Sequence, residues 1–175
     1  MAARDEGRAF VLEPYPDRRM HVIVLDDVSN AAEVSAWVRQ PGADFAAVDA
    51  RMVVGMPQLL AAALCALHAE QRGKLVTHAL HSEVVYALSA GKQINEAFRR
   101  FGAGESCARI VIVTFDAGAA ARLSERILGR RVDPLSLAER FDEAAVRKAY
   151  KVTEAELRVA SLSDAIVSRI AIQRL

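Results

Sequence analysis

The sequence predicts an α/β fold, a small central sheet of four to five short strands packed with helices and followed by a C-terminal amphipathic helix. Three observations carry this. Met20–Leu25 and Arg109–Phe115 are β-branched, nearly all-apolar runs, as expected of strands covered on both faces. Between and after them lie stretches whose apolar residues recur at helical spacing. The two kinds of segment interleave without a repeat, linker or shift in composition, so a single domain is expected over 9–175, behind a loose charged end at 1–8.

Taken in order, Phe10 and Leu12 alternate with Ala9, Val11 and Glu13 in a short strand, which Pro14-Tyr15-Pro16-Asp17 closes as a turn. Met20–Leu25 follows and ends at Asp26-Asp27. Ser29 or Asn30 is placed to cap a helix from Ala31 to about Gln40, with Glu33 in its first turn and Pro41-Gly42 as its stop. Phe45–Asp49 reads as a strand. Pro57 suits the first turn of a long alanine-rich helix reaching Gln71. Leu80, Val84, Val85 and Leu88 mark the next helix. After Arg109–Phe115 come a helix from Ala119 to Leu128, a short edge strand at Arg130–Val132 and a helix from Phe141 to Tyr150. Thr153 and Glu156 then form a capping box. Leu162, Ile166, Ile170 and Ala171 give the last helix an apolar face that suits either core or a partner.

Composition narrows the function. In 175 residues, 23 lysines and arginines balance 22 acidic residues, so there is no global field to hold nucleic acid or an anionic membrane, and any such partner needs a local site. Cys65 and Cys107 have no metal or redox spacing and read as small buried hydrophobes of a reducing compartment. The charged start lacks a secretory core, and no run of about 18 apolar residues is present. A cytoplasmic protein without a membrane partner is expected.

Catalytic signatures are missing. Gly91-Lys92 fails as a phosphate loop, because Tyr86 stands where that loop needs glycine and Gln93 where it needs Ser or Thr. His78 and His81 sit three apart near Glu83 without a third ligand at a diagnostic spacing. Neither serines nor cysteines lie in a nucleophile signature. No enzyme, metal or cofactor is expected.

The most specified stretch is Leu88-Ser89-Ala90-Gly91-Lys92-Gln93-Ile94-Asn95-Glu96-Ala97-Phe98-Arg99-Arg100-Phe101-Gly102. Ile94, Ala97, Phe98 and Phe101 share one helical face, and Gly102 stands where a left-handed cap belongs. The loop reads as a structural turn or as an anion-binding entrance, with backbone amides and Lys92 for a phosphate and Phe98 or Phe101 for stacking if exposed.

Leu88–Ala97 with Phe101-Gly102 resembles the kinase-binding subunit of the KEOPS complex, called TPRKB, the PRPK-binding protein, in animals. Ser82–Val85, Leu59–Ala63, Ile110–Val113, Lys148–Tyr150, Thr153–Leu157 and Asp164–Ala171 extend the resemblance along nearly the whole chain. The family commonly has glycine directly after the serine and arginine before the glutamine, where this chain has Ala90 and Lys92. Gly91 is expected to supply the loop's freedom one position later, and lysine to keep charge without arginine's planar fork.

The resemblance implies a non-catalytic subunit of an assembly that makes threonylcarbamoyladenosine in tRNA, cytoplasmic and also nuclear in a eukaryote. Its partners would be the N-terminal lobe of the atypical kinase/ATPase subunit, the single-stranded CCA 3′ end of tRNA and, indirectly, the threonylcarbamoyl transferase subunit. Carried onto this chain, Gly91, Lys92, Gln93, Ile94, Arg99 and Phe101 would meet RNA, and Ile166, Arg169, Ile170 and Gln173 the kinase. The competing reading is a small-ligand or phosphate-binding regulator or enzyme using Ala90–Gln93.

Overall fold

The computed structural model describes residues 8–174, so the loose end expected at 1–8 lies outside them except for Arg8, which opens the first strand. Strand β1 (Arg8–Leu12) turns at Glu13-Pro14 into β2 (Tyr15–Asp26), and Tyr15 already pairs with Leu12. Of the turn expected at Pro14–Asp17, only Pro14 is turn; Tyr15, Pro16 and Asp17 already belong to β2. Pro16 is tolerated because β2 has only β1 beside it there, so one side of its backbone needs no partner.

The two apolar runs are neighbours. β4 (Ile110–Thr114) lies between β2 and β3 (Ala46–Asp49), giving the order β1-β2-β4-β3, and β5 (Arg130–Val132) pairs with the far end of β2. Every pairing is antiparallel, yet the sheet is covered on both faces. Alternation along the strands makes this work. Met20, Val22, Val24, Val111 and Val113 face one core, with helices α2 (Met56–Gln71), α3 (Leu80–Leu88), α6 (Glu143–Tyr150) and α8 (Leu162–Arg174). Ile23, Leu25, Ile110 and Ile112 face the other, under α1 (Ala31–Val38) and α5 (Ala117–Arg126). Every residue of β4 is buried, which is why Ile110–Val113 is apolar without a polar alternate; the buried hydroxyl of Thr114 donates to the Asp44 carbonyl at 2.7 Å.

Local chemistry sets the helix ends, not always as expected. Asn30 precedes α1 but does not cap it. Its Nδ2 donates to the Arg126 carbonyl at 3.0 Å and its Oδ1 accepts from the Leu128 amide at 2.9 Å, tying the start of α1 to the end of α5. Thr153 does cap α7 (Glu154–Leu157): its Oγ1 accepts the Glu156 amide at 3.3 Å, and Glu156 Oε2 accepts the Thr153 amide at 2.9 Å. Of the two free cysteines, Cys107 is buried and Cys65 only half-buried against the core. Desolvation pushes the Cys107 thiol up to about 11, which keeps it protonated and inert at neutral pH.

Asp26, the last residue of β2, is a buried node. Its Oδ1 accepts from Arg109 Nε at 2.6 Å, and its Oδ2 from Arg130 at 3.0 Å and Arg140 at 2.6 Å. The Arg109–Asp26 pair has almost no solvent access, and the same guanidinium donates to carbonyls of Ser136 and Arg140. Replacing Asp26 with Asn strands the buried guanidinium without its counter-charge. The substitution is expected to lower unfolding free energy by about 3–5 kcal/mol, read as a fall in the urea midpoint at unchanged slope. A loss under about 1 kcal/mol would mean the node is replaceable by hydrogen bonding alone.

Candidate functional site

The loop after α3 is braced at every residue. Ser89 Oγ donates to the Tyr86 carbonyl at 2.7 Å and accepts the Gly91 amide at 3.1 Å, while the Tyr86 hydroxyl donates to the Lys92 carbonyl at 3.3 Å. The Gly91 amide is thus occupied inside the loop, and the anion-binding entrance expected there does not have it to offer. Ala90 carries the left-handed conformation, φ 46°. The freedom expected of Gly91 is required at Ala90 instead.

Helix α4 (Ile94–Phe101) follows, with no side chain capping its first turn. Its terminal Gly102 has φ −69° and is extended, not left-handed as expected. Glycine is needed there for another reason. A Cβ would lie 2.6 Å from the Phe98 carbonyl oxygen.

A chain of buried hydrogen bonds holds this loop against the rest of the protein. The Tyr150 hydroxyl, at the end of α6, donates to the Leu88 carbonyl at the end of α3. It accepts from Gln58 Nε2 of α2 at 2.9 Å, and the fully buried Gln58 also bonds the Met52 carbonyl at 3.1 Å and the Val54 amide at 2.8 Å. Burial pushes the Tyr150 phenol far up, so it stays a neutral donor. Phe101 meets the Tyr150 ring edge-on at 5.5 Å.

The braced loop, α4, the end of α6 and α8 enclose a groove of about 580 Å³. Ser89, Ala90, Gly91, Lys92 and Gln93 form one wall with Glu96 and Arg100, and Tyr150, Lys151, Arg169, Ile172 and Gln173 form the other. Four cations thus face one space. Arg100 pairs with Glu96, and Arg169 with Glu156 at 2.6 Å. Lys92 and Lys151 have no carboxylate partner among the described residues. Glu96 also takes both donors of Arg99, at 2.8 and 2.9 Å, and that bonding holds its carboxyl below the usual range, so the pair is ionised at neutral pH.

Of the residues expected to meet RNA, Gly91, Lys92 and Gln93 line this groove. Ile94 is exposed at the start of α4 without lining it. Arg99 opens instead onto another cleft, beside Arg51 and Arg140. Phe101 is 1% exposed and belongs to the core, so it offers no stacking surface. Phe98, 37% exposed, faces a separate apolar cleft with Phe45, Val85 and His81. Of the residues expected to meet a kinase, Ile166 and Ile170 are fully buried, because their face of α8 covers α2 and α3. Arg169 and Gln173 line the same groove as Lys92. The two surfaces expected to be separate share one rim. Sequence reasoning missed Lys151, and it noted Arg100 as a basic residue of the same stretch without placing it among the RNA contacts. The Glu96–Arg100 pair is an i, i+4 spacing on α4, whereas no local signal marks Lys151.

The histidine pair holds nothing that suggests a metal. Glu83 spends its carboxylate on the Val76 and Thr77 amides and the Thr77 hydroxyl, and the His81 ring packs on Phe115 at 5.7 Å, where burial lowers its pKa. No group of three metal-ligating side chains occurs among the described residues.

Comparison with known proteins gives a consistent picture. Residues 25–174 match the family described as Kinase binding protein CGI-121. The chain is 30% identical to EKC/KEOPS complex subunit TPRKB of Danio rerio, over 93% of this chain and 95% of that protein. It is 29% identical to EKC/KEOPS complex subunit cgi121 of Schizosaccharomyces pombe, over 91% and 98%. Identity to the CGI121 subunit of Eremothecium gossypii is 31%, over 92% and 96%.

Ala90 supplies a direct test of the loop geometry. Because its φ is positive, Ala90→Gly is expected to stabilise the protein by about 1 kcal/mol, raising Tm by roughly 3 °C in thermal unfolding. A lower Tm would mean that the left-handed turn is not the conformation in solution.

Proposed function

The chain belongs to the CGI-121 family of kinase-binding proteins, and from that premise we propose that it is a non-catalytic KEOPS subunit that docks a kinase and holds the single-stranded 3′ end of tRNA. In this reading it presents tRNA for threonylcarbamoyladenosine formation by another subunit. Its relatives bear the name of KEOPS complex subunits.

One observation carries the RNA half of the proposal: the groove is lined by Lys92, Arg100, Lys151 and Arg169, and after Glu96 takes Arg100 and Glu156 takes Arg169, Lys92 and Lys151 keep no carboxylate among the described residues, in a chain of almost no net charge. Such a field is local, as a protein without a global one requires. Lysines there suit phosphates, while Gln93 suits the edge of an unstacked base. The small-phosphate reading of Ala90–Gln93 has less behind it, because Ser89 already takes the Gly91 amide.

For the kinase, the exposed end of α8 replaces the buried pair first expected. Ile172, 73% exposed, is the one large apolar side chain that the described part of α8 leaves to solvent, and it suits the anchor of an interface. The kinase would therefore abut the rim of the RNA groove.

Two measurements test this. Gel shifts at stated salt are expected to show tRNA with its 3′ end bound about tenfold more tightly than tRNA trimmed of it, with affinity falling steeply as salt rises. Equal affinity for both would refute the end-binding role. Ile172→Asp is expected to abolish co-purification of the kinase while leaving Tm unchanged; undiminished capture by the folded variant would remove Ile172 from the interface.

A further inference from the structure

Among the described residues, three that are not glycine have left-handed backbone: Asp27, Ala90 and Lys151. Two of the three line the groove, one on each wall. Backbone held in such conformations gathers at functional sites, where the surrounding structure maintains it.

Lys151 is the more telling. It ends α6 at φ 54° and ψ 41°, a position that helices ordinarily give to glycine. The turn is secured without help from its side chain. The Val152 amide bonds the Arg147 carbonyl at 3.0 Å, and the Lys151 carbonyl accepts from Arg169 Nη2 at 3.3 Å. Arg169 is itself held by Glu156 at 2.6 Å and the Ala165 carbonyl at 3.2 Å. Glycine would make the same turn without strain, so the fold does not account for the lysine.

The charge distribution does. Arg100 and Arg169 have carboxylates in contact, whereas Lys92 on one wall and Lys151 on the other are exposed and have none among the described residues. We propose that Lys151 is a phosphate-binding residue and that Lys92 and Lys151 close from opposite walls on one phosphodiester of the bound RNA end. This inference rests on the tRNA-end reading and adds to it a second, sequence-distant jaw that neither the family description nor the loop pattern contains.

Lys151→Gly separates binding from folding, because the two should move in opposite directions. Its Tm is expected to rise by roughly 2–4 °C as strain is relieved. Affinity for intact tRNA is expected to fall about fivefold, with the slope of log K against log salt reduced by roughly one. Lys151→Asn, which tolerates the same backbone, should show the same loss of affinity. If the two lysines grip one phosphate, Lys92→Ala combined with Lys151→Gly loses less than the product of the single losses. Wild-type affinity and salt slope in both Lys151 variants would overturn the clamp while leaving the tRNA reading intact, provided the wild type still prefers the intact 3′ end. A wild type that binds trimmed and intact tRNA equally overturns the reading and the clamp together.

Discussion

The Tyr150 hydroxyl joins three helices at the base of the groove. It accepts a hydrogen bond from Gln58 of α2 and donates one to the last carbonyl of α3, while its ring supports Phe101 of α4. All of these groups are out of reach of water, so none can drift without leaving a polar atom unpaired, a cost of about 1–3 kcal/mol each. The separation of the two walls is therefore set by hydrogen bonds that lie beneath the groove. The side chains of Lys92 and Lys151 are left free of that structural duty.

Electrostatics divide along the same line. Several arginines are matched to carboxylates that serve more than one at once: Asp26, away from the groove, takes three, and Glu96, on its wall, takes two. Inside the groove two lysines stand outside this matching. A balanced composition thus excludes a protein coated in positive charge while saying nothing against a small uncompensated site, and the structure has such a site.

What the sequence made legible were features decided within a few residues. β2 and β4 announced themselves because both of their faces are covered, which leaves no room for polar alternation; the Thr153–Glu156 cap is a contact between near neighbours. Strand direction and order were not legible, being settled by which apolar faces meet across the fold. The same limit applied to the site. Gly91, Lys92 and Gln93 stood out in one dense stretch, but amphipathic spacing could not say whether the chain covers its own apolar face. On α8 it does, and so Ile166 and Ile170 are core; on α4 it does for Phe101 and only partly for Phe98. Lys151 and Arg169 reach the groove from segments far along the chain, and nothing beside them in sequence points to Lys92.

That the walls come from distant parts of the chain changes what a ligand does to the protein. A molecule touching both the loop before α4 and the end of α6 acts as a reversible cross-link, closing a long loop of polypeptide that would otherwise be held only by packing. Occupancy then stabilises the seating of α6 and α8 by an amount that grows with the logarithm of ligand concentration above its dissociation constant. By reciprocity, any partner that steadies α8 from outside tightens the groove on its ligand, with no new contact between the two.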